Sequence, residues 1–210
     1  MTDRPTDAIG DVYAEAEQAG TEGIYRDWAA KYDADNAALG FRLPYIAAGY
    51  AARYLEKGTG PILDAGCGTG LVGAALQLLG YADICGLDLS TEMLEVAEAT
   101  GAYRALHAAR LGAPLPFADD SFRAVLCIGS FGPGHAPPDA LTELVRVAAP
   151  GAPVIFNLVE KTWVSQGFPE VLDALTVDRR WTLAEDTGPW KPYAIGEQDL
   201  YCRLFVYIVT

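Results

Sequence analysis

The sequence predicts an α/β fold in which helices cover a mainly parallel β-sheet. Three observations support this. Short apolar runs alternate with helix-like segments from residue 62 to residue 159, a glycine-rich turn follows the first run, and the composition suits one large core. The 210 residues are 51% hydrophobic with a mean hydropathy of +0.13. The chain can therefore bury a sizeable core without disulfide bonds.

The first part of the chain, residues 1–57, predicts a helical extension ahead of a sheet domain at residues 58–210. One helix is expected over Glu22–Leu39, with Gly40 as its stop signal. Three aromatic residues with helical spacing would share one face of it: Tyr25, Trp28 and Tyr32. A second helix is expected over Tyr45–Lys57.

After residue 58 the predicted elements alternate. The predicted strands are Ile62–Asp64, Asp83–Leu87, Tyr103–Ala108, Ala124–Ile128 and Pro153–Val159. The helices predicted between them are Leu71–Leu79, Ser90–Thr100 and Pro138–Ala149. Strands separated by helices of this length indicate βαβ units. A β-prone run, Leu200–Val209, follows a loop rich in Trp and Pro and predicts a late strand inserted at the sheet edge.

Charge and cysteine content exclude several classes of protein. There are 15 Lys and Arg against 28 Asp and Glu, for a net charge of −13. Binding to nucleic acid or to a membrane surface relies on basic residues, so neither is expected. The four cysteines are widely spaced and predict reduced thiols, which favours the cytoplasm. No secretory leader or membrane-spanning run is expected from the sequence.

The glycine-rich turn predicts a ligand site. It consists of Asp64-Ala65-Gly66-Cys67-Gly68-Thr69-Gly70. In an open parallel sheet, ligands bind at the carboxyl ends of the strands. Glycines there let the backbone approach a ligand closely, and the next helix presents free N–H groups. Such a turn is also found as a plain strand-to-helix connection, so the motif alone is weakly specific.

A dinucleotide site is the alternative for the same turn. Residues 68–73 fit G-x-G-x-x-G, and Asp88 lies 20 residues beyond Gly68. That register would place Asp64, Gly66 and Cys67 inside the strand, whereas the D-x-G-x-G-x-G register needs no such placement. An acid at the end of an apolar strand also needs a partner or a cationic ligand. Asp88, at the end of the next strand, can accept hydrogen bonds from ribose hydroxyls in either case.

Several motifs, taken in order, resemble those of class I S-adenosylmethionine-dependent methyltransferases. They are Ile62 to Gly70, Gly86-Leu87-Asp88-Leu89-Ser90 with Met93-Leu94, and Pro114 to Phe122. The resemblance covers about residues 22–160. Within that superfamily the chain is most similar to the methyltransferase-like proteins of the Williams–Beuren syndrome region. Tyr25 to Asp33, Gly101-Ala102-Tyr103, and Ala140 to Val147 followed by Pro150-Gly151 carry this closer likeness.

The resemblance implies a Rossmann-like three-layer αβα sandwich, mainly parallel with a late antiparallel edge strand, plus an N-terminal helical lid. It also implies S-adenosyl-L-methionine as cofactor and S-adenosyl-L-homocysteine as product. Gly66, Gly68 and Gly70 would line the methionine moiety, Asp64 would bind its amino group, and Asp88 would bind the ribose. The other implied cofactor-binding residues are Cys67, Leu89, Ser90, Met93, Arg110, Leu111 and Ile128, with Tyr25 and Tyr32 as lid residues. As an alternative, the two tyrosines pack between helices.

One position departs from the family pattern. Arg110 stands where the family usually has an acid that accepts from the adenine amino group. Arginine has no acceptor lone pair, so adenine recognition would fall to backbone groups around Arg110 and Leu111, or Arg110 turns outward.

The implied reaction is methyl transfer to a small-molecule acceptor by in-line displacement, which depends mainly on alignment in a site that excludes water. His135 is a candidate general base, although a histidine in a Gly/Pro-rich loop is often only a turn residue. No Asn/Asp-Pro-Pro-Tyr/Phe sequence follows the fourth strand, which argues against nucleic-acid substrates. The loop at residues 161–193 is rich in large aromatic side chains and is expected to pass over the same strand ends. It would form an acceptor pocket, a packed cap or a dimer contact there. No metal-ligand spacing is present.

Two other functions stay open from the sequence. One is a cofactor-binding regulatory protein without turnover, to which the changed position at Arg110 lends weight. The other is a NAD-dependent oxidoreductase, which would use the G-x-G-x-x-G register. The acceptor atom, the native substrate and the oligomeric state are not predicted.

Overall fold

A computed structural model describes residues 33–132, 134–161, 163–195 and 199–210. Most of the predicted helix Glu22–Leu39 lies outside these ranges, and so do both predicted lid residues, Tyr25 and Tyr32. Residues 33–38 are helical, and Gly40 follows them in the left-handed conformation, with φ of +64°. No described helix is long and apolar enough to cross a membrane.

The described residues form five longer helices and seven strands. The helices are α1 Leu43–Tyr54, α2 Leu71–Leu78, α3 Thr91–Ala99, α4 Ala140–Val147 and α5 Phe168–Val177. The strands are β1 Ile62–Ala65, β2 Ile84–Asp88, β3 Ala105–Ala108, β4 Ala124–Cys127, β5 Pro153–Val159, β6 Trp181–Asp186 and β7 Cys202–Val209. The elements predicted between residues 45 and 159 all occur, with boundaries within a few residues.

The seven strands form one sheet in the order β3-β2-β1-β4-β5-β7-β6. The first five strands in this order pair in parallel, whereas β7 runs antiparallel to both β5 and β6. The fold class and the late antiparallel strand are therefore confirmed. β7 lies next to the edge, because β6 pairs outside it.

Two apolar layers cover the sheet, which confirms the three-layer sandwich. Alternation along β1 divides its residues between them, since Leu63 packs with α4 and α5 and Ile62 packs with α1 and α2. Each helix contributes its apolar stripe. In α1 that stripe is Leu43, Ala47 and Ala51, and in α5 it is Phe168, Leu172 and Leu175. The sheet is thus buried on both faces, as parallel sheets require.

The segment 161–193 differs from the expectation of a loop over the strand ends. It contains α5 and β6, which are not among the predicted elements. β6 escapes prediction because Trp181 is its only fully buried residue, so its sequence shows no alternation of apolar and polar side chains. Trp181 stacks on Tyr207 with ring centroids 4.0 Å apart, and Phe168 is also buried in the core. These two aromatic residues stabilise the fold and do not line a pocket.

Candidate cofactor and acceptor site

A cavity of about 580 Å³ opens at the carboxyl ends of β1, β2 and β4. Its size falls within the range of roughly 300–1,000 Å³ that is usual for small-molecule sites. The position is the one at which open parallel sheets bind ligands, because the strand order reverses between β1 and β4. The loops that follow these three strands form the cavity wall.

The glycine-rich turn forms the floor of the cavity. β1 ends at Ala65 and α2 begins at Leu71, so residues 66–70 make the turn. Gly66 has φ of +77°, and a Cβ there would lie 2.0 Å from Oγ of Ser130, so only glycine fits. This strand end agrees with the D-x-G-x-G-x-G register and not with a strand that continues to Gly68.

Asp88 fixes the turn from the end of β2. Its Oδ2 accepts a hydrogen bond from the backbone N–H of Gly68 at 2.8 Å, and its Oδ1 accepts one from the N–H of Ser90 at 3.0 Å. Burial raises the pKa of Asp88, and these backbone donors partly oppose that rise. Each carboxylate oxygen can accept a further hydrogen bond, and Asp88 lines the cavity.

Asp64 lies behind the turn and does not line the cavity. It is fully buried, and its Oδ2 accepts a 2.6 Å hydrogen bond from the hydroxyl of Tyr103. The same hydroxyl accepts from the N–H of Gly73 in α2 at 3.1 Å. Burial raises the pKa of Asp64 to about 7, although the hydrogen bond from Tyr103 opposes the rise. Oδ1 of Asp64 is buried without a hydrogen-bond partner among the described residues.

Tyr103 also explains the third glycine of the G-x-G-x-x-G pattern. A Cβ on Gly73 would lie 2.3 Å from Cζ of Tyr103 and 2.4 Å from its hydroxyl oxygen. Gly73 is therefore needed to admit this ring, which gives the glycine a reason independent of a dinucleotide.

The structure brings most of the predicted site residues together. Those that line the cavity are Gly66, Cys67, Gly68, Asp88, Leu89, Ser90, Met93, Arg110, Leu111, Ile128 and His135. Gly70 does not line it and instead begins α2 with φ of +94°. Asp64 lies behind the wall, and the predicted lid residues Tyr25 and Tyr32 are outside the described ranges. The role of each residue toward a ligand stays a prediction.

Several wall residues are absent from the predictions. They are Phe41, Pro44, Thr69, Leu71, Val72, Leu87, Thr91, Glu92, Ala109, Gly112, Gly129, Ser130, Gly134, Ala136 and Pro137. Most of them are neighbours of predicted residues, so extending each motif by one position would have found them. Phe41 lies before α1 and carries no motif. Thr69 is buried, and its hydroxyl donates to Oδ1 of Asp33 at 2.6 Å, which ties the turn to the helix at 33–38.

The far end of the cavity lies beyond β4, at residues 129–132 and 134–137. The N–H of Ala136 donates to the carbonyl of Ser130, and the N–H of His135 donates to that of Gly132, both at 3.0 Å. These bonds hold the half-buried His135 in the cavity wall. His107, the other histidine of the chain, lies in β3 and makes an edge contact with Phe117 instead.

Within the described ranges no group of His, Cys, Asp and Glu residues could hold a metal ion. The four cysteines are free and buried. Burial raises the pKa of the Cys67 thiol, the one cysteine in the cavity wall, well above its ordinary value.

Comparison with known proteins gives the same picture as the geometry. The Methyltransferase domain family matches residues 63–156. Human methyltransferase-like protein 27 is 38% identical over 190 residues, an alignment that covers 80% of this chain and 74% of the human protein. This identity and coverage extend well beyond the glycine-rich turn.

Solved structures with the same fold include several methyltransferases. A TehB-like S-adenosylmethionine-dependent methyltransferase from Corynebacterium glutamicum superposes with a TM-score of 0.66 at 18% identity, covering 90% of this chain and 99% of that one. The geranyl diphosphate C-methyltransferase of Streptomyces coelicolor, solved with S-adenosyl-L-homocysteine, gives 0.59 at 13% identity and covers 79% and 77%. The chain therefore belongs to the class I S-adenosylmethionine-dependent methyltransferases, in the family of methyltransferase-like protein 27, and its cofactor is S-adenosyl-L-methionine.

Proposed function

We propose that the chain transfers the methyl group of S-adenosylmethionine to a small, neutral acceptor by in-line displacement. The observation that carries this proposal is the continuity of the 580 Å³ cavity. It runs from the glycine-rich turn to His135, so a cofactor and an acceptor can lie side by side within it. Alignment of this kind, with water excluded, supplies most of the acceleration in such displacements.

The residues present fit the cofactor. At Gly68 nothing lies within 4 Å of the place where a Cβ would be, so a ligand can reach the backbone. Asp88 offers half-buried carboxylate oxygens to ribose hydroxyls. The unpartnered Oδ1 of Asp64 suits a cationic amino group, reached through the turn and water. Arg110 and Leu111 line the wall where backbone groups would bind adenine. When bound, the cofactor supplies an electrophilic methyl group on a sulfonium.

The residues of the chain orient the acceptor and accept its proton. His135 reaches the cavity from the segment after β4 and is the general base in this proposal. A neutral imidazole would take the proton from a hydroxyl or amine acceptor as the new bond to carbon forms.

Charge supports a small neutral acceptor. The net charge of −13 is unfavourable for a nucleic acid, and Arg110 is the only Lys or Arg among the described residues of the cavity wall. An acceptor of high negative charge would therefore find little compensation. The reducing environment expected for four free cysteines keeps a cytoplasmic location as our prediction.

The test combines ligand binding with turnover. S-adenosylmethionine and S-adenosylhomocysteine at about 100 times their dissociation constants should raise the melting temperature by about 5–11 °C, and NADH should not. A panel of neutral phenols, amines, thiols and ketones should then yield S-adenosylhomocysteine with at least one member. His135→Gln should lower kcat, whereas His107→Gln, the matched control, should not. Binding of both adenosyl ligands without turnover on any acceptor would favour the regulatory alternative.

A further inference from the structure

We propose that Asn157 is a specificity-determining residue that selects acceptors carrying a carbonyl or hydroxyl oxygen on a neutral aromatic or apolar body. This inference rests on the proposed function, because it names the acceptor class for the same cavity. It is carried by a crevice at the acceptor end of the cavity and by the one amide group that faces this crevice.

The crevice adjoins the main cavity and has a volume of about 20 Å³. Phe41, Gly129 and His135 line both spaces, so the crevice is a side branch of the acceptor end. A space of about 10–15 Å³ already holds one water-sized group. The crevice therefore admits a single small group of an acceptor, while the rest of the molecule lies in the main cavity.

The walls of the crevice are mostly apolar. Phe41 stacks on Tyr193 with ring centroids 4.9 Å apart, which makes one wall aromatic. The other described lining residues are Leu43, Gly129, Phe131, His135, Asn157, Val159, Pro192, Leu200 and Cys202. None of them is Asp, Glu, Lys or Arg, so a charged group would lose its hydration without compensation. A neutral group is favoured.

Asn157 supplies the directional polar group of the crevice. It lies in β5, is 3% exposed, and its Oδ1 accepts a 2.7 Å hydrogen bond from the N–H of Gly129. Because the backbone N–H is a donor, the amide oxygen must face Gly129, and the side-chain NH₂ is left for a ligand. No described residue accepts a hydrogen bond from that NH₂ group. An acceptor oxygen in the crevice would satisfy it.

The chain offers a direct probe of this amide, because it contains only two asparagines, Asn157 and Asn36. Asparagine-selective ¹⁵N labelling therefore gives two side-chain NH₂ signals, which Asn157→Asp and Asn36→Asp assign. The protein saturated with S-adenosylhomocysteine is titrated with acetophenone and with ethylbenzene, which has a similar shape but no oxygen. We expect acetophenone to shift the Asn157 NH₂ signal and to bind about three- to tenfold more tightly than ethylbenzene.

Two variants complete the test. Asn157→Asp should abolish the preference for acetophenone, since Oδ1 still accepts from Gly129 but the NH₂ donor is gone. Asn36→Asp should keep it, because Asn36 is equally buried yet lines neither space. Equal affinity for the two probes, no binding of either, or an unmoved Asn157 signal would overturn the inference. If Asn157→Asp does not fold, the titration of the unaltered protein still decides.

This experiment is independent of turnover. A preference for acetophenone without methyl transfer to any acceptor would leave the subsite standing and refute the proposed reaction. Methyl transfer without the preference would refute the subsite alone.

Discussion

The hydroxyl of Tyr103 donates a 2.6 Å hydrogen bond to the carboxyl of Asp64, although 39 residues separate them in the chain. Asp64 is fully buried at the end of β1, and Tyr103 precedes β3, so this bond crosses β2 behind the glycine-rich turn. An acid in such a place is costly when ionised. Through the hydroxyl of Tyr103 the pair also joins this carboxyl to the N–H of Gly73 in α2.

The first prediction concerns the pH dependence of stability. The pKa of Asp64 is about 7 in the folded protein against an ordinary value of 3.8. Between these values the folded state keeps a proton that the unfolded state has lost. Its contribution to stability is therefore full below pH 3.8 and lost as pH rises through about 7, by roughly 4 kcal/mol at about 1.4 kcal/mol per pH unit.

Urea unfolding of the cofactor-free protein at several pH values between about 4 and 8 measures this effect. Asp64→Asn should remove this decrease in the free energy of unfolding with rising pH, because an amide does not titrate. Asp173→Asn, at an exposed position in α5, should leave the slope as it is. Parallel slopes for the unaltered protein and Asp64→Asn would contradict the assignment.

The second prediction concerns the contact between Gly73 and Tyr103. Gly73→Ala should destabilise the protein by about 1–3 kcal/mol, because the new methyl group meets the ring of Tyr103. In a Tyr103→Ala background the same change should stabilise α2 by up to about 1 kcal/mol, since alanine favours helices more than glycine does. Urea unfolding of the four proteins gives the coupling energy.

Gly49 provides the matched control for that cycle. It lies in α1, and nothing is within 4 Å of the place where its Cβ would be. Gly49→Ala should therefore be mildly stabilising in both backgrounds. If Gly73→Ala changes the free energy of unfolding equally with and without the Tyr103 ring, the predicted contact between the two residues does not determine the effect.

The third prediction separates two glycines of the turn. Gly66→Ala should lower stability strongly, because its Cβ would collide with Ser130 at 2.0 Å. Gly68→Ala meets no described atom, so it should cost only about 1–2 kcal/mol for its positive φ. Its methyl group would instead occupy cofactor space and weaken S-adenosylhomocysteine binding at least about tenfold.

Calorimetric titration and thermal unfolding of both variants check this difference. Ser130→Gly should partly rescue the stability of Gly66→Ala, because it removes the colliding side chain. Unchanged S-adenosylhomocysteine affinity in Gly68→Ala would mean that the cofactor does not approach this part of the turn.

The fourth prediction concerns Asp88. Asp88→Ala removes the acceptors for the N–H groups of Gly68 and Ser90 as well as the proposed ribose ligand. We expect the rise in melting temperature with S-adenosylhomocysteine to disappear in this variant. Asp173→Ala should show the full rise, and an Asp88→Ala protein that retains it would remove Asp88 from the cofactor site.

Much of the fold follows from local sequence signals. The short runs at Ile62–Asp64 and Pro153–Val159 predict buried strands, and the structure forms strands there in a sheet covered on both faces. Ser90 predicts the start of α3, and its side chain does accept from the N–H of Met93. β6 is not predicted, since an exposed strand at the sheet edge needs no apolar pattern.

The proposed cofactor half of the site is predictable for a different reason. Gly66 and Asp88 belong to motifs whose spacing reflects backbone geometry within one βα unit or its neighbour. Tyr103 and Asn157 are not predictable in this way, because each acts through a contact with a residue far along the chain. A tyrosine before a strand and an asparagine within one carry no local signal of such a contact.

The strand order also separates the two halves of the cavity in a way that matters for redesign. Asp88 and the glycine-rich turn belong to strands β1 and β2, whereas His135 and Asn157 belong to the flank formed by β4 and β5. Residues on the β4 and β5 flank can thus be varied in a library while those on β1 and β2 are held constant. A search for new methyl acceptors would begin at Phe41, Asn157 and Tyr193 and leave the turn untouched.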